Sequence, residues 1–162
     1  MNVDRDRNMA LKPSYNDKLY LPGLSNTEIL ILALEASQKL EWNIEEVTPE
    51  GIRFEVPFSI RSHGEAITFT IEKGSDGEVS VRSQSSSVQF VDYGKNRKNI
   101  QKLRETMEEI KASLTPEELA QRAKDFEEEF NRPLTEEEKA YIEEEKKRNL
   151  SLIHISEPTR RT

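Results

Sequence analysis

The chain has no cysteine among its 162 residues, so a disulfide framework, thiolate metal ligation and a cysteine nucleophile are all excluded. Histidine is nearly as scarce, with two in all. His63 stands in a Ser62-His63-Gly64 turn with no second histidine nearby in sequence to share a metal, and it reads as a surface loop residue. Long apolar runs are missing too. The longest, residues 29–34, is far short of the ~20 residues that span a bilayer, and the charged start Met1-Asn-Val-Asp-Arg-Asp-Arg-Asn8 lacks the apolar core of a secretory signal. Met9 is a second candidate start. Catalytic signatures are absent as well: no Gly-x-Ser-x-Gly elbow, no phosphate loop, no Gly-x-Gly-x-x-Gly, no His-Glu-x-x-His. No enzyme activity and no cofactor are expected of this chain.

What is present is charge. Charged and hydrophobic residues each make up 34% of the chain, which suits one polar-surfaced domain with a modest core. The formal net charge of -7 argues against nucleic acid as a partner, because neutralising phosphates needs net local basicity. The glutamate runs at residues 127–129, 136–138 and 143–145 read as solvated helix faces, with Glu143 spaced to pair with Lys147 and Glu144 with Arg148.

The end of the chain stands apart. Residues 150–160, Leu-Ser-Leu-Ile-His-Ile-Ser-Glu-Pro-Thr-Arg, resemble a translated sequencing adapter. Residues 150–162 are therefore expected to be an artefact, and residues 1–149 the beginning of a longer protein. His154 and Ser156 belong to that stretch and are not recruited as a catalytic pair.

Hydrophobic periodicity predicts an α+β fold: helix, four- or five-stranded antiparallel meander, helix, then two charged helices. Residues 1–24, with Pro13, Pro22 and Gly23, show no sustained period and read as an irregular arm. Ser25-Asn-Thr-Glu28 is a capping box opening a helix to about Leu40. Ile52, Phe54, Val56, Phe58 and Ile60 alternate as a strand, and Pro57 predicts an edge position or a bulge for it. Ile67, Phe69 and Ile71 continue the meander, then Val79 and Val81, with a short strand at residues 88–91. Ile100, Leu103, Met107, Ile110 and Leu114 stripe a helix from about Gly94 to Ala112. Trp42 and Phe90 are assigned to core packing. The compact domain is thus placed at residues 25–113. Beyond it, Thr115-Pro-Glu-Glu118 and Thr135-Glu-Glu-Glu138 start two helices, the second to about Arg148, with few apolar anchors. Residues 114–149 read as a charged arm or linker.

One patch breaks a local rule. Lys95, Arg97 and Lys98 crowd a helix start, where the macrodipole favours anions. They are the candidate contact for a phosphate, a lipid headgroup or an acidic partner.

The motif order, Glu35-Ala-x-Gln-Lys-Leu-x-Trp42-Asn-Ile, Thr48-x-x-Gly51-Ile, Asp92-Tyr-Gly-Lys-Asn-x-Lys-Asn-Ile100, Glu109-Ile-Lys-x-Ser-Leu-Thr-Pro-Glu-Glu-Leu119 and Leu134-Thr-x-x-Glu-Lys139, resembles the amino-terminal extension of certain bacterial rhomboid-family intramembrane serine proteases over about residues 20–140. The resemblance implies a cytosolic, non-catalytic accessory or regulatory domain. Its parent would be a serine endopeptidase of the inner membrane whose membrane domain follows, with the membrane surface or an acidic protein as further partners. No catalytic residue of that family maps onto this sequence. The alternative is an independent anion- or protein-binding module.

Overall fold

A computed structural model of the chain describes residues 13–57, 64–85 and 94–156. The α+β expectation holds. In chain order the elements are β1 (Ser14–Tyr20), α1 (Asn26–Lys39), β2 (Asn43–Thr48), β3 (Gly51–Val56), β4 (Glu65–Ile71), β5 (Glu78–Ser85), α2 (Lys95–Ser113), α3 (Pro116–Asn131) and α4 (Glu136–Ser156). The strands form one antiparallel sheet in the order β1-β5-β4-β3-β2. The expected strand at residues 88–91, His63, Phe58, Ile60 and Phe90 lie outside the described residues.

The segment read as an irregular arm contains β1, which pairs with β5 from Ser14 opposite Gln84 to Tyr20 opposite Glu78. Its weak sequence signal has a physical cause. At the sheet edge only one side of the strand meets a ladder, and along its inner face Tyr15 and Asp17 are only half-buried; Leu19 alone is buried there. Leu21 extends the anchorage, and its N–H donates to the Gly77 carbonyl at 2.8 Å. Gly77 has φ +75°, and a Cβ on it would run into the Leu21 carbonyl, so the approach of the arm to the β4–β5 hairpin requires glycine.

β3 is not an edge strand. It is flanked by β2 and β4, and it ends at Val56, one residue before Pro57. The missing proline N–H therefore never meets a ladder. The irregularity falls on β2, where the register shifts between Ile44 and Glu46. A bulge with Glu45 and Glu46 on it protects this edge from pairing with another chain.

Side chains on the inner face of the sheet, Ile52, Phe54, Ile67, Phe69, Ile71, Val79 and Val81, form a single core with Ile29, Leu32, Ala33 and Ala36 of α1 and Ile100, Leu103 and Met107 of α2. These are the positions that alternation and the helical period select, and helices on one sheet face complete a two-layer domain. Trp42 packs as expected, its ring centroid 6.0 Å from that of Phe54. Ser25 caps α1, accepting from the Glu28 N–H at 3.1 Å while Glu28 accepts from the Ser25 N–H at 3.0 Å.

The compact unit runs to Glu127, further than residue 113. The sequence places the first turns of α3 in a charged arm, yet Leu119 and Ala123 are buried and Leu119 joins the core, with Phe126 packed against it. Leu119, Ala123 and Phe126 recur at four- and three-residue steps, a stripe narrow but sufficient for docking. Arg122 pairs with Glu35, and Thr27 Oγ1 donates to Glu127 at 2.5 Å.

The second unit, from Glu128 onward, holds the end of α3 and all of α4. Thr135 and Glu138 form a reciprocal cap at 3.2 and 2.8 Å, and Arg132 bridges Glu129 and Glu138. α4 continues to Ser156, past the expected end near Arg148, because no glycine or proline interrupts residues 136–157. Arg148 pairs with Glu145 at 3.0 Å rather than with Glu144, and no ion pair joins Glu143 to Lys147 among the described residues.

Candidate functional site

Three elements change from apolar to polar at the same end of the core. Along β5 the inward positions read Val79, Val81, Ser83, Ser85, and all four are buried. Along β4 the inward series Ile71, Phe69, Ile67 ends on buried Glu65, which lies opposite Ser85 in the ladder. On α2 the stripe Met107, Leu103, Ile100 extends back to Asn99 and Asn96, also buried.

These polar groups answer one another. Ser83 Oγ donates to Asn96 Oδ1 at 2.8 Å, and Asn96 Nδ2 donates to the Pro13 carbonyl at 3.0 Å and to Ser85 Oγ at 3.2 Å. Asn99 Nδ2 reaches Ser83 Oγ at 3.5 Å, and the Ser85 N–H donates to the same Pro13 carbonyl at 3.0 Å. Buried polar groups are tolerated when each finds such a partner, and a satisfied network fixes geometry more tightly than apolar packing. Its effect here is to clamp the first turn of α2 onto β5 and the start of β1.

On that clamped turn sit the three predicted cations. Gly94, the N-cap, is in the left-handed conformation with φ 73° and offers no capping side chain, and the first turn holds no acidic residue. The other three helices all start on a Ser or Thr cap with glutamate in the first turn. Lys95 is half-buried, while Arg97 and Lys98 are exposed. None of the three makes an ion pair within the described residues, and Glu105, further along the same helix, accepts from Gln101.

The structure separates the cations. At about 100° per residue, Lys95 and Arg97 fall on opposite flanks of the buried stripe and Lys98 points outward. Arg97 lies on the flank that carries Arg104, seven residues on. Arg104 Nη2 donates to Asp17 Oδ2 at 2.6 Å. That bond, the Lys18 backbone N–H and the nearby charge of Arg97 hold the Asp17 carboxyl below its usual range. Arg97 is thus partly answered by Asp17.

In the sequence the cations stand out as a basic run, and the side chains that mount them leave a fainter trace. The signal was legible: Asn96 and Asn99 continue the helical stripe backwards, and Ser83 and Ser85 continue the strand alternation forwards. Elsewhere, two shallow grooves cross the outer sheet face. One of about 350 Å³ lies over Arg53, Thr68 and Thr70, and one of about 570 Å³ lies over Asn16, Lys18, Ser80 and Arg82. Among the described residues no three His, Asp or Glu side chains gather as metal ligands would, and no helix is long and apolar enough to cross a membrane.

No curated protein and no solved structure matches the chain. A family model described as "protein of unknown function (DUF1499)" matches residues 11–107. The stretch runs from just before β1 to Met107 in α2, so it takes in the whole sheet, α1, the polar end of the core and the three cations. This corrects the rhomboid resemblance: the motifs at residues 35–44, 48–52 and 92–100 lie inside the matched stretch and are features of that domain, not of a protease extension. With well over half of its residues matched, the chain belongs to the family described as protein of unknown function (DUF1499).

Proposed function

We propose that this domain is a non-catalytic binding module whose ligand presents an anionic group, a phosphate or a carboxylate, to the start of α2. Lys95 and Lys98 are its principal contacts, with Arg97 on the flank beside Asp17. The observation that carries the reading is the first turn of α2 itself: three cations and no acid stand where the macrodipole favours negative charge. A bound anion would turn that unfavourable arrangement into a favourable one. The clamp formed by Asn96 and Asn99 supports the same reading. It holds the cations on a rigid mount rather than a fraying helix end, and a preformed site spends less binding energy on ordering.

The test is a titration of the 162-residue chain with inorganic phosphate and, separately, with an acidic peptide, followed through the backbone amide resonances of residues 94–99. Saturable shifts are expected with at least one of the two. The Lys95→Gln/Arg97→Gln/Lys98→Gln variant should bind at least roughly tenfold more weakly, the equivalent of about 1.4 kcal/mol. Unchanged affinity in that variant, or no saturable shift with either ligand at millimolar concentration, refutes the reading.

A further inference from the structure

From its start to Asn149, α4 of the second unit shows no buried face. From Glu136 to Asn149 every side chain of α4 is exposed except Glu138 and Glu145, which are half-buried. The unit also holds Leu134, Tyr141 and Ile142, three of the six large apolar side chains that stay exposed among the described residues. A helical stretch exposed on nearly every side draws little stability from packing, so a further contact along residues 136–149 is physically expected.

The charge order along α4 says what fits there. Residues 138 and 139 precede Ile142 by four and three positions, and residues 145 and 146 follow it by three and four, so all four share the helix face that carries Ile142. Reversing the helix about Ile142 sets Glu138 against Lys146 and Lys139 against Glu145. Each pairing is of opposite sign, whereas a parallel copy in register sets like charge on like.

Helix-dipole complementation does not produce this order. It accounts for glutamates in the first turn, but Lys139 stands within the acidic half and Glu145 within the basic half. The local bonds from Lys139 to Glu136 and from Arg148 to Glu145 are solvent-exposed i,i+3 pairs, and pairs of that kind contribute little and exchange easily.

We infer that α4 is a homodimerisation element: a second copy of the chain packs antiparallel on it about a two-fold axis at Ile142, which is a self-complementary interface of the isologous type. The Ile142 and Tyr141 side chains of both copies meet at the centre. Two Lys139–Glu145 pairs flank them, and Lys146 of each copy comes to the Glu138 carboxylate of the other, which Arg132 also holds. The association is weak and salt-sensitive, because its apolar centre is small and its ion pairs are at the rim. It stands independently of the anion site on α2.

Sedimentation equilibrium at low salt and sub-millimolar concentration tests it on the full chain, whose monomer mass is 18.8 kDa. The expected result is a concentration-dependent rise toward twice that mass, reversed by high salt. Lys139→Glu alone and Glu145→Lys alone each set like charges in register twice per dimer and should sediment as monomers. An equimolar mixture of the two variants restores opposite charges at both positions of the mixed pair, so the dimer should return. A monomeric wild-type chain overturns the inference, as do single variants that dimerise like wild type, or a mixture that associates no better than its components.

Discussion

Asn96 illustrates how one side chain organises this domain. It is fully buried, accepts from Ser83 and donates to Ser85 and to the Pro13 carbonyl, joining α2, β5 and the entry to β1 in one contact set. Asn96→Ala would leave two buried serine hydroxyls without that partner as well as a small cavity. Leaving a buried polar group unsatisfied costs about 1–3 kcal/mol, so urea unfolding should show a loss of about 2–3 kcal/mol. A loss below about 0.5 kcal/mol, the scale of an ordinary surface substitution, would show that the network does not stabilise the fold. Asn96→Leu fills the space but restores no hydrogen bond, and it should not recover the loss. In the sequence Asn96 is one polar letter in a run of cations and asparagines. Its burial follows from the helical phase of Ile100, Leu103 and Met107, which points it inward.

At the scale of elements, the start of α4 depends on one carboxylate. Glu138 accepts two bonds from Arg132 and one from the Thr135 N–H, and these pull its pKa from 4.5 down to about 2, with the Arg132 bonds the largest cause. A carboxyl whose folded pKa is depressed adds stability that is fully present above its unfolded value and is lost as pH falls through the folded one. The capped start of α4 should thus persist down to about pH 4.5 and loosen between there and about pH 2. Following the Glu138 carboxyl carbon by NMR should give a midpoint near 2, and Arg132→Gln should return it toward 4.5; a wild-type midpoint near 4.5 would refute the clamp. Helices were the most legible elements here, because capping boxes at Ser25, Thr115 and Thr135 are local and each forms as read. β3 and β4 were legible by alternation. β1 was not, because an edge strand with polar residues on both faces carries no period that distinguishes it from a loop, and only the ladder offered by β5 makes it a strand.

For the whole molecule, the decisive finding is that the compact unit reaches beyond residues 25–113 in both directions. β1 closes one edge of the sheet, and α3 brings Leu119 onto the core. A chain lacking residues 1–20 would leave the β5 edge unpaired and lose the buried Leu19 side chain, while Leu21 would lose the strand that positions it. Burying a leucine contributes about 1.5–3 kcal/mol, and two such anchors amount to about 3–6 kcal/mol, a large part of the ~5–15 kcal/mol stability of an ordinary domain. Thermal unfolding of that variant should show a large drop in Tm and a tendency to aggregate through the exposed edge, whereas an unchanged Tm would mean that β1 contributes nothing. The sequence by itself determined the fold class, the starts of three helices, the inner faces of β3, β4 and β5 and the position of the cations, because these depend on short-range period and capping chemistry. Only the folded chain makes residues 14–20 a strand, docks α3, brings the serines and asparagines into one buried network and sets the charge of Arg97 near Asp17. Each of those is a contact between residues far apart in the chain, and it takes its meaning from a partner that no local pattern names.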